Sequence, residues 1–194
     1  MQTQINEPRI HVYGHASADP AQVAGEFNAE LVDVAASESD LAIFVIDPSA
    51  GIDQKTIELW QALDEHQVPR LVAVTHLEKL EADFDDAVMI ANRVFDQMAT
   101  PYLVLHDEAG LPAALIGLAD LKIIDYSTDP TSVKDSQSEH HTLVQEFREE
   151  YLELIEASGE DAFAAGLLFP AIPLWIERGI GVDIVKSFIT QLRH

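Results

Sequence analysis

The stretch LAIFVIDPSAGIDQKTIELWQALDEHQVPRLVAVTHLEK, residues 41–79, constrains this chain more than any other. Two short apolar runs, 41–46 and 71–74, are rich in branched residues and show no polar alternation. Strands covered on both faces of a parallel sheet have that texture. Between them Ile57, Trp60 and Leu63 recur at helical spacing, after a Pro-Ser-Ala-Gly loop. The pattern predicts a βαβ unit with a right-handed crossover.

The flanks read as extensions of the same sheet. Residues 9–14 predict a short strand ending at Gly14. Residues 21–36 carry Val23, Phe27, Leu31 and Val34 at intervals of three and four and predict a helix, with Pro20 in its first turn and Asp19 as its cap. Residues 81–98 predict a second helix with Phe84, Val88, Val94 and Phe95 facing inward, and PYLVL, 101–105, a further buried strand. The sum is an α/β fold, a mainly parallel sheet flanked by helices. From His106 the texture changes. Gly110, Pro112 and Gly117 among apolar residues predict small antiparallel strands, and the polar segment 127–141 a loop. Residues 143–157 predict an amphipathic helix with Leu143, Phe147, Tyr151, Leu154 and Ile155 on its inner face. A last core strand is expected near 168–174 and a docked helix over 182–192. Residues 1–194 thus read as one domain with an inserted small α+β lobe at 107–160.

Charge narrows the function. Eleven Lys and Arg stand against 34 Asp and Glu, a formal charge of −23. Such a field repels nucleic acid, anionic membrane and free nucleotide unless a basic pocket overrides it, and Lys and Arg cluster nowhere. The absence of cysteine excludes disulfides, thiolate metal sites and a Cys nucleophile, and accords with the cytoplasm. The opening MQTQINEPR lacks the apolar run of a signal peptide. No apolar stretch reaches the ~18 residues of a membrane span.

Residues 40–85 resemble the nucleotide-binding domain of the translational GTPases, elongation factor G most of all. In that family an apolar strand ends in Asp, a short Gly-containing loop and a helix with Gln and Trp follow, and Val-Pro-Arg opens a strand that ends in the guanine-reading motif. Here Asp47, Gly51, Gln61, Trp60 and the Val68-Pro69-Arg70 triplet stand in that order. Residues 111–126 are similar to the start of the family's inserted subdomain, and 168–192 to its last strand and helix. The resemblance implies a P-loop GTPase-like fold and, for the family, GTP with Mg²⁺.

The chemistry-bearing positions depart from the family. A phosphate loop needs glycines for close backbone approach, a Lys on the phosphates and a Ser or Thr on Mg²⁺. The corresponding stretch is GHASADPA, 14–21, where Gly14 and His15 keep the family's start. Asp19 and Pro20 occupy the places of the motif's Gly and Lys, and Ala21 that of the hydroxyl. For the guanine-reading Asn-Lys-x-Asp the chain has Thr75, His76, Leu77 and Glu78. Near 175–177 Trp175 replaces a small loop that cradles the base. Too few residues precede Leu41 for the switch loop and its strands, so the fold is truncated in the switch region. A second register sets Gly14 and His15 on the family's Asp-x-x-Gly motif, with His11 at the Asp position; the phosphate loop is then missing.

Other polar residues have plainer readings. His140 and His141 are adjacent on a polar segment and poorly placed to share a metal. Glu81, Asp83, Asp85 and Asp86 are expected to cap and solvate a helix start, and Asp47 to cap the turn at 48–51. Trp60 and Trp175 read as core or cleft-filling aromatics. The expected function is a non-catalytic, G-domain-like interaction module with no cofactor and no metal. Its expected partner is a ribosomal or other basic protein, with no nucleic acid and no membrane. The alternatives are a divergent GTPase holding GTP or GDP with Mg²⁺ weakly through Glu78, Thr75 and the backbone amides at 14–18, and the leading part or remnant of a longer factor.

Overall fold

Side chains alternate across buried strands, and that alternation builds two cores on one sheet. In a computed structural model, which describes residues 6–192, six parallel strands run in the order β2-β1-β3-β4-β10-β5. They are β1 Ile10–Tyr13, β2 Glu30–Leu31, β3 Leu41–Ile46, β4 Arg70–Val74, β5 Met98–Ala99 and β10 Phe169–Pro173. On one face Val12, Ile43, Val45 and Leu71 pack against helices α1 (Pro20–Glu26) and α5 (Val182–Gln191). On the other Tyr13, Phe44, Val72 and Val74 meet α2 (Gln54–Asp64) and α3 (Phe84–Val94). Every residue of β3 and β4 is buried, as their unbroken apolar runs predict.

The second face is aromatic. Trp60 stacks on Phe95 at 4.3 Å between centroids and meets Phe44 and Phe169 edge-on. Arg70 is fully buried there, its guanidinium 4.5 Å from both the Trp60 and Phe169 ring centroids. Its donors reach Val68 O, Trp60 O and Asp64 Oδ1, so the buried charge is both paired and hydrogen-bonded.

Between β5 and β10 the chain makes an antiparallel excursion. The strands β6 Tyr102–His106, β7 Pro112–Gly117, β8 Lys122–Asp125 and β9 Ser132–Asp135 lie in sequence order. The long helix α4, Ser138–Ser158, follows, with Val144 and Tyr151 packed on this small sheet.

Four expectations need correction. The helix expected over 21–36 stops at Glu26, because Asn28 turns left-handed at φ 51 and Glu30–Leu31 pairs with β1 instead. PYLVL is not a strand of the parallel sheet: that place falls to Met98–Ala99, and beyond Pro101 the run pairs with β7. Part of the expected loop 127–141 is strand β9, held by ion pairs Lys134–Asp125 (2.9 Å) and Lys122–Asp135 (3.2 Å), and part is the start of α4. The Ser127 and Lys134 hydrogen bonds hold the Asp125 carboxyl down at about 2. Finally, Leu143 and Phe147 are exposed, while Val144 makes the inward contact of that part of α4.

Candidate functional site

Parallel strands deliver their following loops to one carboxyl edge, where α/β folds place their sites. The loops after β1, β3, β4 and β10 meet there. Gly14 is required by close approach: a Cβ on it would lie 2.6 Å from Val45 O. His15 then opens a tight turn over Ala16–Ala18, its Nδ1 accepting from Ser17 N at 3.2 Å. Ala18 N donates to His15 O and Asp19 N to Ala16 O, at 3.0 and 3.1 Å. Pro20 is buried and has no N–H to offer. The amides of residues 17, 18 and 19 are thus all committed within the loop.

Asp19 does not cap α1 through its side chain, contrary to expectation. It sits left-handed at φ 55, and its carboxylate lies 3.1 Å from His76 Nε2. Thr75 fastens the same loop from the other side. Its hydroxyl donates to Ala18 O at 2.8 Å and lies 3.3 Å from Ile46 O, while its amide donates to Ile46 O at 2.9 Å. That one residue ties the loop after β1 to the end of β3 and the end of β4.

His76, also left-handed at φ 54, is the hub of the charges. Its Nδ1 is 3.1 Å from Glu78 Oε1. Its Nε2 lies near the Asp19 carboxylate without the geometry of a hydrogen bond. Glu177, on the loop after β10, accepts from Gln22 Nε2 at 2.7 Å. That bond first, then its own backbone amide, with a smaller contribution from nearby His76, hold its carboxyl below the ordinary glutamate range. An imidazole therefore faces three carboxylates.

Asp47 lies beneath, its side chain 1% exposed. It accepts from Ser49 N at 2.8 Å and Ser49 Oγ at 2.7 Å, which is the turn cap the sequence predicts, and also from Lys79 Nζ at 2.7 Å. Burial pushes its carboxyl up, but the Lys79 and Ser49 hydrogen bonds outweigh that and hold it below the usual aspartate range. The same pairing raises Lys79. Trp175 packs down onto both cores, its ring 4.8 Å from the Arg178 guanidinium carbon.

The edge thus brings Asp19, Thr75, His76 and Glu78 together through direct contacts. His15 turns back into its own loop and Trp175 into the cores. The sequence reading missed Lys79, Gln22 and Glu177. Lys79 follows Glu78 directly and had a signal in the buried acid ending β3; nothing in the sequence links residues 22 and 177. Elsewhere, Asp83 and Asp86 exchange reciprocal 3.0 Å bonds as the cap of α3, as expected. His140 Nδ1 accepts from Gln137 N and His141 Nε2 meets Ser136 Oγ. Among the described residues no three His, Asp or Glu side chains converge as a metal set.

A mainly parallel α/β sheet, with its site at the strand ends and an antiparallel excursion before its last interior strand, defines a domain of the P-loop GTPase-like class. Residues 26–189 match the family described as the elongation factor Tu GTP binding domain, and this chain belongs to that family. It is 26% identical over 186 residues to an elongation factor G-like protein of Mycobacterium tuberculosis (strain ATCC 25618 / H37Rv), covering 83% of this chain and 24% of that protein. It is 28% identical over 131 residues to elongation factor G of Orientia tsutsugamushi (strain Boryong), covering 64% and 18%. A solved structure from Thermus thermophilus shares the fold with a TM-score of 0.70 at 23% identity, over 81% of this chain and 27% of that one. The chain spans about a quarter or less of the length of these relatives. Among the described residues no helix is long and apolar enough to cross a membrane.

Proposed function

We propose that this chain is a non-catalytic member of its family, an interaction module that keeps the scaffold of a translational G domain and lacks its grip on GTP and Mg²⁺. The observation that carries this reading is the loop at 14–20, fastened to β4 by Thr75 and closed on its own amides. A phosphate cradle works through outward backbone N–H groups, a Lys on the phosphates and a hydroxyl on the metal. Here those amides bond within the loop, Pro20 stands at the place of the Lys, and Ala21 at that of the hydroxyl. Asp19, Glu78 and Glu177 surround His76, so a triphosphate in the family's position would meet carboxylates. Each close pair of like charges costs roughly 1–4 kcal/mol near a surface. The residues present do not fit the nucleotide.

The relatives are named as translation factors, and we carry to this chain only their setting. It is a cytoplasmic module, steered by its charge of −23 toward basic proteins, ribosomal proteins among them. Titration with fluorescent GTP and GDP analogues in Mg²⁺ tests the proposal. No saturable signal is expected up to millimolar ligand. Saturation at micromolar levels, competed by GTP and not ATP, would return the chain to the nucleotide-binding members.

A further inference from the structure

The cleft between α3 and α4 has the opposite character. Two adjoining hollows, of about 170 and 390 Å³, share Asp85, Leu103 and Phe147. They extend along α3 from Asp83 to Asn92, ~15 Å of helix. Leu143 is 75% exposed here, Met89 52% and Phe147 46%. Leu143 and Phe147 stand one helical turn apart on one ridge of α4. They are not needed to seat that helix, because Val144 and Tyr151 already pack on the antiparallel sheet. An apolar ridge facing an apolar helix edge across a cleft marks an interaction surface rather than scattered exposure.

Charge says what kind of partner. Among the described residues no lysine or arginine lines either hollow, whereas Asp83, Asp85 and Glu150 do, with His106 and His140 in the first. Asp85 has neither a hydrogen bond nor an ion pair among the described residues. Burial first, then Asp83 and Asp86, raise its carboxyl, with His106 pulling the other way. An exposed, unpaired carboxylate beside an apolar ridge is suited to an incoming ammonium or guanidinium group.

We propose that the α3–α4 cleft is a docking groove for a cationic amphipathic helix of a partner protein, its apolar stripe against Leu143, Phe147 and Met89 and a Lys or Arg against Asp85. Helix-in-groove recognition uses anchors at such spacing, and the ridge on α4 matches the ridges of a second helix. A second copy of this chain is a poor occupant, since both surfaces would be acidic. The inference rests on reading the chain as an interaction module.

The test uses two labelled Leu/Lys peptides of equal length, composition and charge, one with leucines at helical spacing and one with strict alternation. The helical-period peptide is expected to bind saturably and at least tenfold more tightly than the alternating one. Phe147→Ser with Leu143→Ser should weaken it tenfold or more, and Asp85→Asn severalfold. Val34→Glu, on an exposed residue away from the cleft, should leave it unchanged. Circular dichroism checks that each variant folds. Equal affinity for the two peptides, equal affinity for the cleft variants, or no binding at all would overturn the proposal; so would sedimentation as a dimer that the Phe147 and Leu143 substitutions dissociate. Fluorescent GTP added to the same samples keeps the two readings separable. Nucleotide binding would refute the closed strand edge and leave the peptide comparison intact.

Discussion

The strand-end edge and the α3–α4 cleft carry the same kinds of groups in opposite states. At the edge, Thr75, Asp47 and the amides of residues 17–19 all have partners inside the protein. In the cleft, Leu143, Phe147 and Asp85 face outward without partners. Groups satisfied internally hold a fold together; groups left unsatisfied are available to something else. On the function proposed above, the strand-end edge serves the fold, and recognition falls to the surface where the antiparallel sheet and α4 meet the parallel domain.

That contrast can be broken by substitution, since edge changes should cost stability and cleft changes should not. The largest effect is expected for Gly14→Ala, whose Cβ would press on Val45 O at 2.6 Å. A loss of about 2–3 kcal/mol in urea unfolding is expected, and a loss below ~0.5 kcal/mol would mean that β1 and β3 yield freely there. Next comes Thr75→Val, which keeps the shape and removes the donor to Ala18 O. Leaving that carbonyl unsatisfied should cost roughly 1–2 kcal/mol. If nucleotide binding appeared in this variant, the latch would be the only obstacle, and the account of the committed amides would need revision.

Acid sharpens the comparison. The Asp47 carboxyl is held below its ordinary value of 3.8 in the folded state. Its stabilisation is therefore complete above 3.8 and is lost as pH falls through the folded value. Asp47→Asn should lower stability at neutral pH by about 1 kcal/mol and flatten the acid limb of the stability curve, measured by urea unfolding between pH 2 and pH 7 (roughly the span over which aspartate titration acts). A variant that tracked the parent in parallel down to the lowest pH would show the carboxylate to be incidental. The smallest effect belongs to the cleft. Phe147→Ser should change stability by no more than ~0.5 kcal/mol, because the side chain already faces solvent. A cost of several kcal/mol would place it in the core.

The legible parts of this molecule were those with a strong local pattern. The unbroken runs of β3 and β4 and the spacing of Ile57, Trp60 and Leu63 needed no tertiary information. The reciprocal cap of α3 follows from Asp83 and Asp86 alone. What escaped depended on context. Leu31 and Val34 continue the helical spacing of α1, yet Asn28 ends the helix and a two-residue pairing with β1 takes over. The apolar run at 101–105 is a strand in either sheet, and only the path of the chain beyond Pro101 decides which. At the edge, the sequence placed Asp19, Pro20, Thr75, His76 and Glu78 together through their motif positions. It could not show that Thr75 donates to Ala18, or that Lys79 and Glu177 close the charge network, because those contacts join residues that no short pattern relates.

The most direct measurement follows backbone amide resonances of residues 14–22 and 75–79 while GTP and Mg²⁺ are added to millimolar concentration. A closed edge predicts that these resonances stay in place and that the amides of Ser17, Ala18 and Asp19 remain protected from exchange with solvent. Saturable shifts centred on those residues, reversed by competing GDP and accompanied by loss of that protection, would show that the loop opens to take phosphate and would contradict the account.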